Sequence, residues 1–404
     1  MFESLWLRVK RRQRAILWTS GLIALGYVLY GALADKLRRV HARMLKDRAD
    51  RDTLSKRFSQ NQEDAVFTVM ALLPSLMDPM LDDMQVENIT KELQKRRGGS
   101  EGSTASSDIN TSSNTETASE SGDRPLSKIE LWSRLKIEAL TRALTFIHAM
   151  AVLIVYTRLQ LNLLGRRSYV AAVRGETDFD VDISRQFLTF SWWFLNSGWR
   201  EIQVSAEKAV RETVNDIDPR AELSVESVLD LFDRMQSAMA QSNYISGAVT
   251  APADQESFIL DQAERAGRVE ADQRLESDSI SVLSGSSINT AATEHRVPSE
   301  PLRQLLNEAA DFMESPHAAQ TVNSLARTGM AVLLDRIRSS SIRSSSSDAN
   351  KGPPQRTLKF ATVLATTTRQ AHVMAHGQPN EYVMAMDKVP ELDAFSAVVY
   401  SSWS

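Results

Sequence analysis

Residues 127–165 read SKIELWSRLKIEALTRALTFIHAMAVLIVYTRLQLNLLG, and this stretch decides the fold. Ser127 and Glu130 have the spacing of a capping box, and Leu126 and Leu131 occupy the staple positions around it. Helix-compatible sequence then runs unbroken to Leu164, where Gly165 offers a C-terminal stop. The spacing predicts ~57 Å of helix at the usual rise per residue. Its centre, ALTFIHAMAVLIVY (143–156), is apolar all round. Such a helix either crosses a bilayer or lies at the middle of a large bundle. Arg158 cuts the run short of the ~18 residues that a span needs, and His148, Gln160 and Asn162 suit lipid poorly. The reading is therefore a core helix.

Outward from it, the pattern stays helical. Val66, Val69, Met70, Leu73, Leu76, Met77 and Met80 keep helical spacing upstream, with Pro74 and Pro79 expected to kink or split that segment. Downstream, an aromatic-rich helix is expected over 185–215, then helices from Val225, from Ser299 with Pro301 in its first turn, over 322–337, over 358–376, and from Pro390. Period-two alternation is scarce. The expected fold is all-α, a single irregular helical bundle around one long central helix.

An N-terminal transmembrane helix precedes the bundle. Residues 15–34, AILWTSGLIALGYVLYGALA, carry no charge, and 20 residues of helix reach ~30 Å, a bilayer core. A cleaved signal peptide is the other reading, but the apolar run is long for one and a basic helix follows it. Residues 1–14 form a short basic tail. Basic residues flank the span on both sides, so charge alone sets no orientation. Residues 35–404 form the water-facing domain. Three Gly- and Ser-rich insertions, at about 98–124, 270–297 and 339–356, lack the apolar residues to order themselves.

Composition narrows the function. The chain has 404 residues, 42% hydrophobic and 24% charged, with a net charge of −4 and no cysteine. No global field draws it to nucleic acid, and thiol nucleophiles, disulfides and Cys-ligated metals are excluded. His372 and His376 sit four apart, as in a zinc-binding helix, but Val-Met-Ala lies between them and no glutamate base is present. No phosphate-binding loop or dinucleotide fingerprint stands in the chain. The expectation is a protein without a cofactor or a reaction.

One feature resists a purely structural reading. Lys128, Ile129, Trp132 and Leu135 share one face at the start of the capped helix, in its less apolar part. A Trp there is either half-buried packing or an exposed anchor for a partner helix, since aromatic residues are enriched in binding hot spots.

The run Lys128-Ile129-Glu130-Leu131-Trp132-Ser133-Arg134-Leu135-Lys136-Ile137, with Leu140-Thr141-Arg142, resembles the peroxin-3 (peroxisomal biogenesis factor 3) family. So does Thr157-Arg158-Leu159-Gln160-Leu161-Asn162-Leu163-Leu164-Gly165-Arg166-Arg167-Ser168-Tyr169. Asn61-Gln62 and Ala71-Leu72-Leu73-Pro74-Ser75-Leu76 fit it too, and the Ser-rich insertions with Arg166-Arg167 resemble its fungal branch. The resemblance implies a peroxisomal membrane protein, also found in the endoplasmic reticulum during biogenesis, with its large domain in the cytosol. It implies docking of peroxin-19, the carrier of newly made peroxisomal membrane proteins, whose amphipathic N-terminal helix lies in an apolar groove. Trp132, Lys128 and Leu135 match the family's groove residues, and Leu93 matches an upstream groove leucine. With Ile129 these are the candidate partner-binding residues. Inheritance or pexophagy adaptors are further implied partners. The alternative is a tether or adaptor scaffold, which would share the anchor and bundle but need no groove at Trp132. An enzyme would need a polar pocket of clustered ionisable groups.

Overall fold

The structure is a computed structural model and describes residues 53–98, 127–175, 181–262, 297–345 and 357–402. The expected anchor at 15–34, the basic tail and most of the three insertions lie outside the described residues. The chain falls into two units, residues 1–60 and 61–404. Of the first, residues 53–60 are described and are helical. The second holds the helical bundle.

Helix α3 (Lys128–Arg174) is the axis of that bundle. The capping box forms as the spacing predicts: Ser127 Oγ accepts from the Glu130 amide at 3.2 Å, and Glu130 Oε2 accepts from the Ser127 amide at 2.6 Å. The helix runs 47 residues, about 70 Å, nine residues past the expected stop at Leu164–Gly165. Gly165 serves close packing instead. A Cβ there would lie 3.2 Å from the Tyr400 ring and 3.3 Å from the Asn61 amide. The terminator is Gly175, whose φ of 71° is the left-handed conformation that favours glycine.

Every residue from Ala139 to Gln160 is buried. Around α3 pack α2 (Val86–Gly98), α6 (Trp199–Val214), α11 (Pro316–Ser345), α12 (Phe360–His376) and α14 (Pro390–Ser401). The apolar centre of α3 is thus a bundle core. Each large side chain enclosed there contributes about 1.5–3 kcal/mol. The remaining helices are α1 (Thr53–Asp83), α4 (Val181–Thr189), α5 (Ser191–Trp193), α7 (Val225–Gln241), α8 (Ile245–Val249), α9 (253–262), α10 (Glu300–Glu314) and α13 (Glu381–Met386). Among the described residues only α1 and α3 are long and apolar enough to cross a membrane.

The polar residues of α3 cross-link the bundle. Asn162 Oδ1 accepts from Asn61 Nδ2 and Gln62 Nε2, each at 2.8 Å. Arg158 donates to Gln62 at 2.9 Å, to Asp393 at 2.9 Å and to Asp387 at 2.5 Å. Arg166 donates to the Val399 and Ser402 carbonyls and pairs with Glu308. Gln160 donates to the Phe187 carbonyl at 3.2 Å. The Arg-Leu-Gln-Leu-Asn block is polar because it ties α1, α4 and α14 to one axis, and buried polar groups need such partners.

Three local expectations are corrected. Pro74 and Pro79 do not split α1, which is continuous through both; Pro74 lies on the exposed face, where water takes up the carbonyl that a proline leaves unbonded. The 185–215 segment is not one helix. It breaks into α4, α5 and a π-helical turn at Phe194–Gly198 before α6. A Cβ on Gly198 would sit 1.9 Å from the Ala248 carbonyl oxygen, so only glycine admits that contact. Leu358 belongs to a strand, not a helix: β2 (Thr357–Lys359) pairs antiparallel with β1 (Glu222–Ser224), Leu223 opposite Leu358. This ribbon is a clip on an otherwise all-α fold.

Candidate functional site

Burial of α3 lapses at both of its ends, and the expected residues lie at the N-terminal one. Lys128 and Ile129 are exposed, Ile129 by 77%. Trp132 is half-buried and packs against the core. Leu135 and Leu93 are both buried, with 6% and 7% of their surface left open. By burial alone the five expected residues separate into two exposed, one half-buried and two buried.

Helix α2 carries Leu93. Its first turn is bound to Arg142 of α3, through the Met84 carbonyl at 3.1 Å and the Glu87 carboxylate at 2.8 Å. From there α2 runs back toward the start of α3, so Glu92 lines the same cleft as Ser133 and Arg134. Burial tends to raise the Glu87 carboxyl, but the hydrogen bond and charge of Arg142, with help from His372, lower it to about 2. Lys136 is 3% exposed despite its charge. Its ammonium caps the end of α6, donating to the Val214, Asn215 and Ile217 carbonyls at 2.6, 3.0 and 2.8 Å. Burial lowers its pKa, against the pull of Asp216 and Asp218.

His372 and His376 hold neighbouring helices. His372 Nε2 lies 2.9 Å from Glu87, and His376 Nε2 lies 2.9 Å from Asp78. Among the described residues no three His, Asp or Glu side chains converge as metal ligands.

A cleft of about 780 Å³ opens between α2, α3 and α6. On α3 it is lined by Ser133, Arg134, Ile137, Glu138 and Thr141. At 100° per residue these lie on the side of the helix opposite Lys128, Trp132 and Leu135. Sequence reading missed it because its lining comes from three distant segments. Ile137, an apolar residue among Ser133, Arg134 and Glu138, was the one trace of it in the sequence.

Among known proteins, the family model described as Peroxin-3 matches residues 7–177 and 174–402. "Peroxisomal biogenesis factor 3" of Yarrowia lipolytica is 32% identical, covering 98% of this chain and 98% of its own. "Peroxisomal membrane protein PEX3" of Komagataella phaffii is 30% identical, again over 98% of each. "Peroxisomal biogenesis factor 3" of Cricetulus longicaudatus is 21% identical over 100% of this chain and 98% of its own.

Proposed function

We infer the function from one premise: the chain belongs to the peroxin-3 family. It is a peroxisomal membrane protein of peroxisome biogenesis, in a family of biogenesis factors rather than a known family of enzymes. Beyond this, we propose that the chain is a docking receptor for peroxin-19, anchored by residues 15–34 with the domain from 35 onward in the cytosol. It performs no reaction. It accepts the amphipathic N-terminal helix of peroxin-19 against Trp132, with Leu93 and Leu135 as floor and Lys128 and Ile129 as rim. Helix-in-groove binding of this kind draws its affinity from a few apolar anchors.

The observation that supports the reading is the half-buried state of Trp132. It stands at the open end of a helix whose next turns are enclosed, beside an isoleucine with 77% of its surface in water. The test is a titration of a labelled peroxin-19 N-terminal peptide against the wild type and Trp132→Ala. The expected loss is ~2–4 kcal/mol of binding, roughly 30- to 1,000-fold in affinity. A half-buried ring should cost only about 1–2 kcal/mol of stability, less than the ~3–5 of a core Trp. Unchanged affinity in a folded variant would remove Trp132 from the site.

A further inference from the structure

We propose that the cleft between α2, α3 and α6 is a second docking surface, which takes an amphipathic helical segment of a partner protein and places a Lys or Arg of that segment on Asp83. The cleft is distinct from the Trp132 face, since the two lie on opposite sides of α3.

Shape is the first observation. The central helix is enclosed from Ala139 to Gln160, but among the described residues Ser133 and Ile137 line an open gap between α2 and α6, with Thr141 buried at its base. The gap of about 780 Å³ falls in the ~300–1,000 Å³ range of binding pockets. Two helices flanking a third leave a trough that a fourth helix fills. Its floor is apolar, from Met84, Ile89 and half-buried Ile137. Thr141 is 5% exposed, and its hydroxyl has no hydrogen-bond partner among the described residues.

Charge fixes the occupant. The lining holds four carboxylates, Asp83, Glu92, Glu138 and Glu207, against two arginines. Both arginines are engaged on their own helices: Arg134 with Glu138 and Arg211 with Glu207, each at 2.5 Å. Glu92 is engaged by Arg96 at 2.5 Å. Among the described residues Asp83 meets only an uncharged group, the Gln203 amide at 3.2 Å. It stands at the end of α1, where the helix dipole adds further negative potential. The uncompensated charge in the cleft is therefore negative and sits at one end above an apolar floor. A helix with an apolar face and a cation at its margin complements both.

The test uses the full chain in lipid nanodiscs. Two labelled peptides of about four helical turns share one leucine face and differ only at its margins, lysine in one and glutamate in the other. The lysine peptide should bind saturably, and the glutamate peptide should not. Asp83→Asn should weaken the lysine peptide about fivefold, as for an exposed charge pair. Ser133→Trp, which fills the trough from its open side, should abolish binding, and Trp132→Ala should leave it unchanged. Thermal melts check that each variant is folded; if Ser133→Trp is not, the peptide pair and Asp83→Asn still decide. No saturable binding, equal binding of the two peptides, indifference to Asp83→Asn, or loss in Trp132→Ala would each overturn the proposal. Because Trp132→Ala should abolish peroxin-19 docking and spare this site, failure here is separable from failure of the docking reading.

Discussion

Arg142 and Glu87 hold each other through two parallel hydrogen bonds, Nη1 to Oε2 and Nη2 to Oε1, each 2.8 Å long. The arginine side chain is fully buried and the glutamate is about one-third exposed. The pair seats α2, and with it Leu93, on α3. Arg142→Met should leave Glu87 with His372 but without its buried guanidinium partner and destabilise the bundle by about 3 kcal/mol, measured by urea unfolding. The double variant Arg142→Met/Glu87→Leu should recover much of that loss. A single variant as stable as the wild type would show that α2 is seated by apolar contact alone.

The same pair has an acid signature. The Glu87 carboxyl falls from an ordinary 4.5 to about 2 in the fold. The unfolded chain therefore takes up the proton first. The stability that Glu87 contributes is present above pH 4.5 and is lost as the pH falls toward 2. Discounted for its partial exposure, the loss is about 1–2 kcal/mol. It should vanish from the stability–pH profile of Glu87→Gln.

His148 acts in a higher window. Its Nδ1 lies 2.6 Å from the Tyr244 hydroxyl and its Nε2 lies 3.0 Å from Gln236 Oε1, in full burial. Burial pushes its pKa from 6.5 down to about 4, against the Gln236 bond. Folding thus excludes a proton that the unfolded chain accepts below 6.5. About 3 kcal/mol should be lost as the pH falls from 6.5 to 4. His148→Gln should flatten that part of the profile while leaving the Glu87 window in place.

Gly198 and Gly247 offer a contrast. A Cβ at Gly198 would meet the Ala248 carbonyl at 1.9 Å, whereas one at Gly247 would meet the Glu201 side chain at 3.4 Å. Gly198→Ala should cost about 2–3 kcal/mol as the π turn and α8 are pushed apart. Gly247→Ala should stay within about 0.5 kcal/mol of wild type. Equal melting temperatures for the two would show that the turn yields freely.

Ile129 separates docking from packing most simply. With 77% of its surface in water, Ile129→Ser should change stability by less than about 0.5 kcal/mol. If it rims the peroxin-19 groove, affinity for the peptide should still fall about fivefold, or ~1 kcal/mol. Affinity equal to wild type would move the rim elsewhere.

The axis was legible because its signals are local. The capping box, the apolar centre and Arg158 all lie within one stretch of chain. Its length was not, because Gly165 reads as a stop until Tyr400 and Asn61 are seen against it. The partners of Arg142, Arg158 and Arg166 stand 55 to 236 residues away, and no periodicity encodes a pairing at that range. The π turn escaped notice for a similar reason, since Gly198 answers to a carbonyl 50 residues downstream. Trp132 stood out as an aromatic in a polar stretch, but nothing local marked Lys136 as buried or Ile137 as facing a cleft. Only the packing of α6 makes the first a buried cap and the second a cleft floor.

Asn162 fixes where the chain enters the bundle, by its bonds to Asn61 and Gln62. Trp132 lies 30 residues earlier on the same straight run of α3, a distance of about 45 Å. The arginines spaced between and beyond these points pin the surrounding helices in register, so the interval cannot shorten by sliding. Helix α3 is in effect a ruler, with Asn162 at one mark and Trp132 at another. A partner docked at Trp132, as proposed, would be held at that interval from Asn61 by the helix itself.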